Sequence, residues 1–310
     1  MGIGPGELLS IGCALAWAVG VIIYKRLGED LPPLKLCLLK NLIVLVLVAG
    51  TVVLLLSPLG ASLGLPALSR PALDTPTVLA ALASGLIGIA MADTLYLRAL
   101  NRIGAGRMGV IGNLYSPFVI VLSFAFLGER LSPLQGLGFL LVMAGLLVVN
   151  APARLDQVGR ASLRRGLIEG ALAMALMAVA IVMMKRPLES HPFWWLVLLR
   201  VTGAVAGLGL LVAAMPSLRR DWRVAGRPRR WGSLLAAAFI GQYLSMSMWL
   251  AGFKYTDASV ASILNETSSI FILVLAAVFL REPLRRRSLL GVGLTFGGVA
   301  CMLVPGHTGP

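Results

Sequence analysis

Four ionisable side chains stand inside long apolar runs of this chain: Lys40, Asp93, Arg200 and Glu266. A charge inside hydrocarbon is costly and normally faces a cavity or a partner. Two cations suit an anionic group, most simply a substrate carboxylate. A buried carboxyl can carry a proton or accept an ammonium group. The competing account makes Lys40 and Arg200 snorkelling anchors, or members of buried ion pairs in which Asp93 and Glu266 neutralise Lys40, Arg200 or Arg98. Polar residues cluster in Gly112-Asn113-Leu114-Tyr115-Ser116-Pro117 and in Leu264-Asn265-Glu266-Thr267-Ser268-Ser269. Pro117 lacks a backbone donor, so it frees a carbonyl near Asn113 and predicts a bend there. Tyr96, Tyr115 and Trp249 could wall an apolar substrate pocket, or equally face lipid. The candidate binding set is Lys40, Asp93, Tyr96, Asn113, Tyr115, Arg200, Trp249, Asn265, Glu266 and Ser268.

Other chemistries find little support. No Ser/His/Asp arrangement, HExxH or phosphate loop is present, which argues against an enzyme or a nucleotide-driven pump. Cys13, Cys37 and Cys301 lie in apolar segments without CxxC or Cys/His spacing. No cofactor and no metal site is expected.

The elements that must hold these side chains are membrane helices. Of 310 residues, 58% are hydrophobic and 13% charged, where a soluble domain carries roughly 25% charge. Apolar stretches long enough to cross about 30 Å of hydrocarbon run over 5–25, 34–56, 76–98, 104–127, 132–150, 164–185, 193–215, 231–252, 258–280 and 286–304. The polar stretch 151–163 reads as a linker between a first unit, 1–150, and a second, 164–310. The net charge of +14 marks loop anchors rather than a nucleic-acid surface. Nineteen Lys/Arg fall in the loops after the odd-numbered spans and five in the remaining loops and termini. That bias places both termini outside. A multi-pass protein of a cell inner membrane is expected, with membrane lipid around it and the monomer as the favoured state.

The chain also repeats itself. At a shift of 153, residues 99–149 match their counterparts at 13 of 51 positions, including Ser116/Ser269, Phe118/Phe271, Glu129/Glu282, Gly138/Gly291 and Gly145/Gly298. At a shift of 160, Lys25-Arg26 falls on Lys185-Arg186 and Lys40 on Arg200. Five spans repeated once enter the membrane from opposite sides, because five is odd. The expected fold is all-α integral membrane, ten transmembrane helices as two inverted five-helix repeats. A substrate site then lies between the repeats near the midplane, with Lys40 and Arg200 facing each other across the axis. Glu129 and Glu282 read as structural, tying helix ends to loops.

Phe126-Leu127-Gly128-Glu129-Arg130-Leu131-Ser132-Pro133-Leu134-Gln135-Gly136-Leu137-Gly138 resembles the EamA domain of the drug/metabolite transporter superfamily. Phe279-Leu280-Arg281-Glu282-Pro283-Leu284 is similar to its second copy. Gly12-Cys13-Ala14-Leu15-Ala16-Trp17-Ala18 and the basic residues Lys40 and Arg200 fit the same pattern. The resemblance implies an exporter or exchanger of small metabolites, with amino-acid export the commonest bacterial theme. It also implies cytoplasmic termini, against which the charge count is followed here. The expected activity is export of a small polar metabolite, an amino acid or related carboxylate, by alternating access, with protons as a candidate coupling partner. A proton-coupled exporter of lipophilic cations and a non-transporting membrane protein are the alternatives.

Overall fold

The structure, a computed structural model, describes residues 4–27, 33–64, 68, 73–150, 159–214, 231–279 and 286–303. Helices α1 to α9 are Pro5–Leu27, Pro33–Leu56, Pro58–Ser62, Thr75–Gly85, Ala92–Gly112, Tyr115–Leu127, Pro133–Asn150, Arg160–Ser190 and Phe193–Ala214. Helices α10 to α14 are Trp231–Ala238, Ser245–Tyr255, Ala258–Asn265, Ser268–Phe279 and Arg286–Met302. Among the described residues there is no strand. In lipid a spanning segment must satisfy its own backbone, which selects the helix for these Leu-, Val- and Ala-rich runs. Proline opens α1, α2, α3 and α7, where its missing donor leaves no bond unmade. Gly128 closes α6 with φ 77°, a left-handed cap that favours glycine.

Eight described helices are long and apolar enough to cross a membrane: Pro5–Ile23, Leu34–Leu56, Thr75–Tyr96, Val110–Leu127, Arg160–Ser190, Phe193–Ala214, Trp231–Tyr255 and Ala258–Leu275. The expected fifth and tenth spans correspond to two shorter apolar helices, Pro133–Val148 and Leu289–Met302.

Four expectations need correction. A connection was expected between 98 and 104, but α5 runs unbroken from Ala92 to Gly112. Arg98, Arg102 and Arg107 lower the hydropathy there without breaking a helix, and Arg102 pairs with Glu169 on α8 at 2.9 Å. The expected sixth span ends at 185, but α8 continues to Ser190 with Pro187 inside it. Arg160 begins that helix, so the end of the expected linker 151–163 is helical. The spans 104–127 and 258–280 are not single helices: each is interrupted, at Asn113-Leu114 and at Glu266-Thr267. The side chains of Lys25 and Arg26, the Arg227-Pro228-Arg229-Arg230 run and Glu282 lie outside the described residues.

The 153 shift reappears in the backbone. A π-helical turn at Leu86–Met91 joins α4 to α5, and another at Phe239–Leu244 joins α10 to α11. Position for position they are equivalent. The two interruptions are equivalent as well and share the same tightened bonds. Asn113 N–H donates to the Val110 carbonyl at 3.3 Å and Leu114 N–H to Ile111 at 2.9 Å; Glu266 N–H donates to Ile263 at 3.2 Å and Thr267 N–H to Leu264 at 3.1 Å. The glycine matches acquire a reason too. Gly138 on α7 packs on the Gly298 carbonyl of α14, while Gly145 packs on the Gly291 carbonyl. Small residues let two membrane helices approach backbone to backbone, and this crossing is reciprocal, as a two-fold relation would make it.

Gly298 and its neighbour Gly297 provide a matched test. A side chain at Gly298 collides with the Gly138 carbonyl and Val142, whereas nothing stands near Gly297. Gly298→Leu is expected to lose about 1–3 kcal/mol by overpacking and to lower the melting temperature in detergent. Gly297→Leu is expected to leave it unchanged. Equal melting of the two variants would refute the close crossing.

Candidate functional site

Arg200 lies on α9 with 2% of its surface exposed. It reaches α4, where its Nη1 donates to the Ser84 hydroxyl, and it donates to the Ala180 carbonyl of α8 at 3.4 Å. Its guanidinium carbon stands 5.3 Å from the centre of the Trp249 ring. The close approach depends on small residues: Gly85 packs on the Arg200 carbonyl and Gly88, within the first π-turn, faces its guanidinium. A charge at a helix centre in lipid costs about 2.5–3.5 kcal/mol. A desolvated cation–π contact offsets roughly 2 kcal/mol of that, and the neutral acceptors offset more. Yet Arg200 Nε has no hydrogen-bond partner. Among the described residues no carboxylate reaches ion-pair distance of it.

Lys40 on α2 has a different environment. Its Nζ lies 4.0 Å from Asp93 Oδ2 on α5 and donates to Gln242 Oε1, in the second π-turn, at 3.3 Å. The Trp17 ring is 5.9 Å away. Cys37 Sγ, one turn before Lys40, donates to the same carboxylate oxygen at 3.8 Å. Asp93 therefore has Lys40 as its near cation, with Arg200 and Tyr96 also within its electrostatic reach. The two cations expected to face each other instead hold separate sets of partners, with Asp93 acting on both.

Glu266 is 9% exposed and closes α12 at the interruption. Its Oε1 accepts from the Ser116 hydroxyl of α6 at 2.8 Å, and Ser116 also donates to the Ser262 carbonyl at 3.1 Å. No described cation lies at ion-pair distance from Glu266. Beside it, both amide atoms of Asn265 are buried without a partner. Asn113, the equivalent of Glu266 in the first unit, is 2% exposed and closes α5. Tyr115 is within electrostatic reach of both Glu266 and Arg200. Its hydroxyl approaches the Trp249 indole but completes no hydrogen bond of normal geometry. Tyr96 packs with Tyr115 and Phe118 against an apolar cluster on α5 and α8. Ser268 opens α13, and no described contact ties it to the other candidates.

The candidate binding set leaves out Ser84, Gly88, Ser116 and Gln242, although Ser116 stands in the polar run 112–117. The Ser84-xxx-Gly88 spacing was a usable signal, since small residues one turn apart invite a neighbouring helix. The model of the EamA-like transporter family matches this chain twice, over 4–151 and 164–304. The chain belongs to the EamA-like transporter family. This EamA-like protein is thus a multi-pass membrane protein of a family of transporters. A solved structure titled "Crystal structure of protein" is similar in fold, with TM-score 0.76 and 20% identity over 96% of this chain and 95% of that one. No curated protein matches it.

At one end of the bundle α12 is clamped. Glu129, in the turn after α6, accepts from Ala258 N–H at 2.8 Å, Ser259 N–H at 2.9 Å and the Ser259 hydroxyl at 2.8 Å. A carboxylate at a helix N-terminus satisfies orphan donors and opposes the helix dipole. Next to it, Lys185 donates to Glu189 at 2.6 Å and to the Thr256 carbonyl at 2.9 Å, and Thr256 donates to Glu7 at 3.0 Å. Asp257 sits among these groups. Burial raises its pKa above the ordinary carboxylate range, as do Glu129, Glu189 and Glu7, while Lys185 opposes the shift. Between the ordinary and the raised value, the folded protein keeps a proton that the unfolded chain has lost, so stability falls as pH rises through that window. Asp257→Asn is expected to flatten this fall. Melting temperatures measured across the acid range would show parallel curves for the two proteins if Asp257 made no such contribution.

Proposed function

We propose that this EamA-like protein is a secondary transporter that exports a small zwitterionic metabolite, an amino acid or related carboxylate, across a cell inner membrane. The carrying observation is Arg200, a buried cation with a partnerless Nε and no described carboxylate at ion-pair distance. A substrate carboxylate would supply the missing acceptor. Glu266, a buried carboxylate without a described cation, would take the ammonium end. Tyr115, Trp249 and Asn265 would fill the space between and around them. The reading takes the chain as ten spans, with α7 and α14 the fifth and tenth, arranged as inverted units 1–150 and 164–310. Both termini would lie outside, following the charge bias.

Alternating access would rock the two units about this site. The two π-turns and the two helix interruptions support that reading, because irregular backbone inside a membrane bundle recurs at binding sites and moving parts. Export would be driven by a proton gradient or by the substrate's own gradient.

The test is counterflow of a radiolabelled amino-acid mixture in liposomes containing the wild type, Arg200→Ala or Glu266→Gln, with folding checked by thermal melting. Saturable uptake is expected in the wild type, reduced by about tenfold or more in each variant, as loss of one charge-assisted contact implies. Unimpaired uptake in both folded variants would sink the site, and no uptake in the wild type would sink the substrate class. Uptake of lipophilic cations that depends on Glu266 but not on Arg200 would replace this reading with drug export.

A further inference from the structure

The repeat places a cation at position 40 and another at 200, and among the described residues one carboxylate, Asp93, stands at ion-pair distance of either. Under the 153 shift the counterpart of Asp93 is Met246, which is buried in apolar surroundings. The charge symmetry of the site is therefore broken in one direction. Asp93 stands 4.0 Å from Lys40 and also acts electrostatically on Arg200. The other groups that face it are the Cys37 thiol, from α2, and Tyr96, on its own helix. Neither of these carries a positive charge.

Without Asp93, two cations would share a weakly screened interior. They would favour an occupant bringing two negative charges. With Asp93 pairing Lys40, the head-group end of the site, made of Lys40, Asp93 and Arg200, presents one uncompensated positive charge, on Arg200, and Glu266 is left to the ammonium end. We infer that Asp93 sets the head-group charge of the substrate, selecting a monoanionic carboxylate over a dianionic phosphate- or phosphonate-like group. This rests on the transport reading above and goes beyond it, because it assigns selectivity to a residue that need not touch the substrate. Asp93 acts through Lys40 and through the field at Arg200, so it is a positioning and selectivity residue. Discrimination of this kind comes from what the site repels as much as from what it attracts.

The test compares binding of leucine and of its aminophosphonate analogue, whose head group is dianionic above neutral pH, to the purified full-length protein. A second pair lacking the amino group, isovalerate and its phosphonate, removes any dependence on Glu266 and is compared at alkaline pH, where the alkylphosphonate too is dianionic. Binding is read as the rise in melting temperature with ligand concentration. The wild type is expected to favour the carboxylate member of each pair. Asp93→Asn is expected to shift the ratio toward the phosphonate by about tenfold or more. Asp93→Glu is expected to keep the wild-type ratio. In the double variant Lys40→Gln/Asp93→Asn the net charge is that of the wild type, and the ratio is expected to return. This double variant also serves if Asp93→Asn alone fails to fold, since it removes the lysine charge that Asp93 faces; a phosphonate preference there overturns the inference. An unchanged ratio in folded Asp93→Asn overturns the inference and leaves the transport reading intact. Binding of no member of either pair by the wild type overturns both.

Discussion

The constraint on which the rest depends is backbone hydrogen bonding in lipid. A helix that stops inside a membrane strands donors and acceptors that water cannot satisfy, each at a cost of several kcal/mol. Such stops persist only where protein supplies the missing partners. The interruptions at Asn113-Leu114 and Glu266-Thr267 meet this condition by tightening into bonds three residues apart, and by recruiting side chains. The Thr267 hydroxyl donates to the Leu264 carbonyl at 2.7 Å. Ser116 donates to the Ser262 carbonyl across the interface between the units. Once the backbone is satisfied in this way, the polar side chains of the same turns can face inward. Glu266, Asn265 and Asn113 occupy this interior because the helices stop there.

The same condition governs Arg200. A guanidinium buried in a bundle needs acceptors, and in this one they are a hydroxyl, a carbonyl and an indole face rather than a carboxylate. Neutral acceptors hold the cation without cancelling its charge. Lys40 stands at the equivalent place with Asp93 4.0 Å away. The repeat thus puts a cation at equivalent places, but their partners differ, and the Asp93/Met246 pair is the difference that carries charge. Duplication supplies the scaffold, and departures from it supply the asymmetry that an asymmetric ligand requires.

How far the sequence revealed this follows from the same physics. The spans, the repeat and the intramembrane charges were legible because hydropathy and side-chain identity are properties of the residues themselves. Gly138, Gly145, Gly291 and Gly298 were legible as matches, though not as a crossing. The interruption at Asn113 was half visible through Pro117, which predicted a bend. Its twin at Glu266 was not, because no proline or glycine stands there: Thr267 and the contact with Ser116 shape it, and the partner is 150 positions away in sequence. The supposed loop near residue 100 failed for the opposite reason. Three arginines lower the hydropathy, but an arginine disturbs a helix no more than a leucine does. The approach of Lys40 to Asp93, 4.0 Å apart, was not legible either, because the two lie on helices far apart in sequence and no local pattern brings them together.

Helix α12 joins these observations. It has 8 residues. Its N-terminus is held by Glu129 of the first unit through three hydrogen bonds, and its last turn is held by Ser116 of the same unit. A short rod fixed at both ends to the opposite unit cannot tilt at one end without loading the other. The Glu-capped end lies beside the charged cluster at the edge of the bundle, and the Glu266 end lies in its interior. On the proposed alternating access, a movement that loosens Glu129 from Ala258 would also strain the Ser116–Glu266 contact, and a substrate that re-partners Glu266 would weaken one of the two fastenings. The residue read from sequence as a structural tie holds one end of this element and the residue read as a binding group closes the other, and the rigidity of a two-turn helix is what couples them.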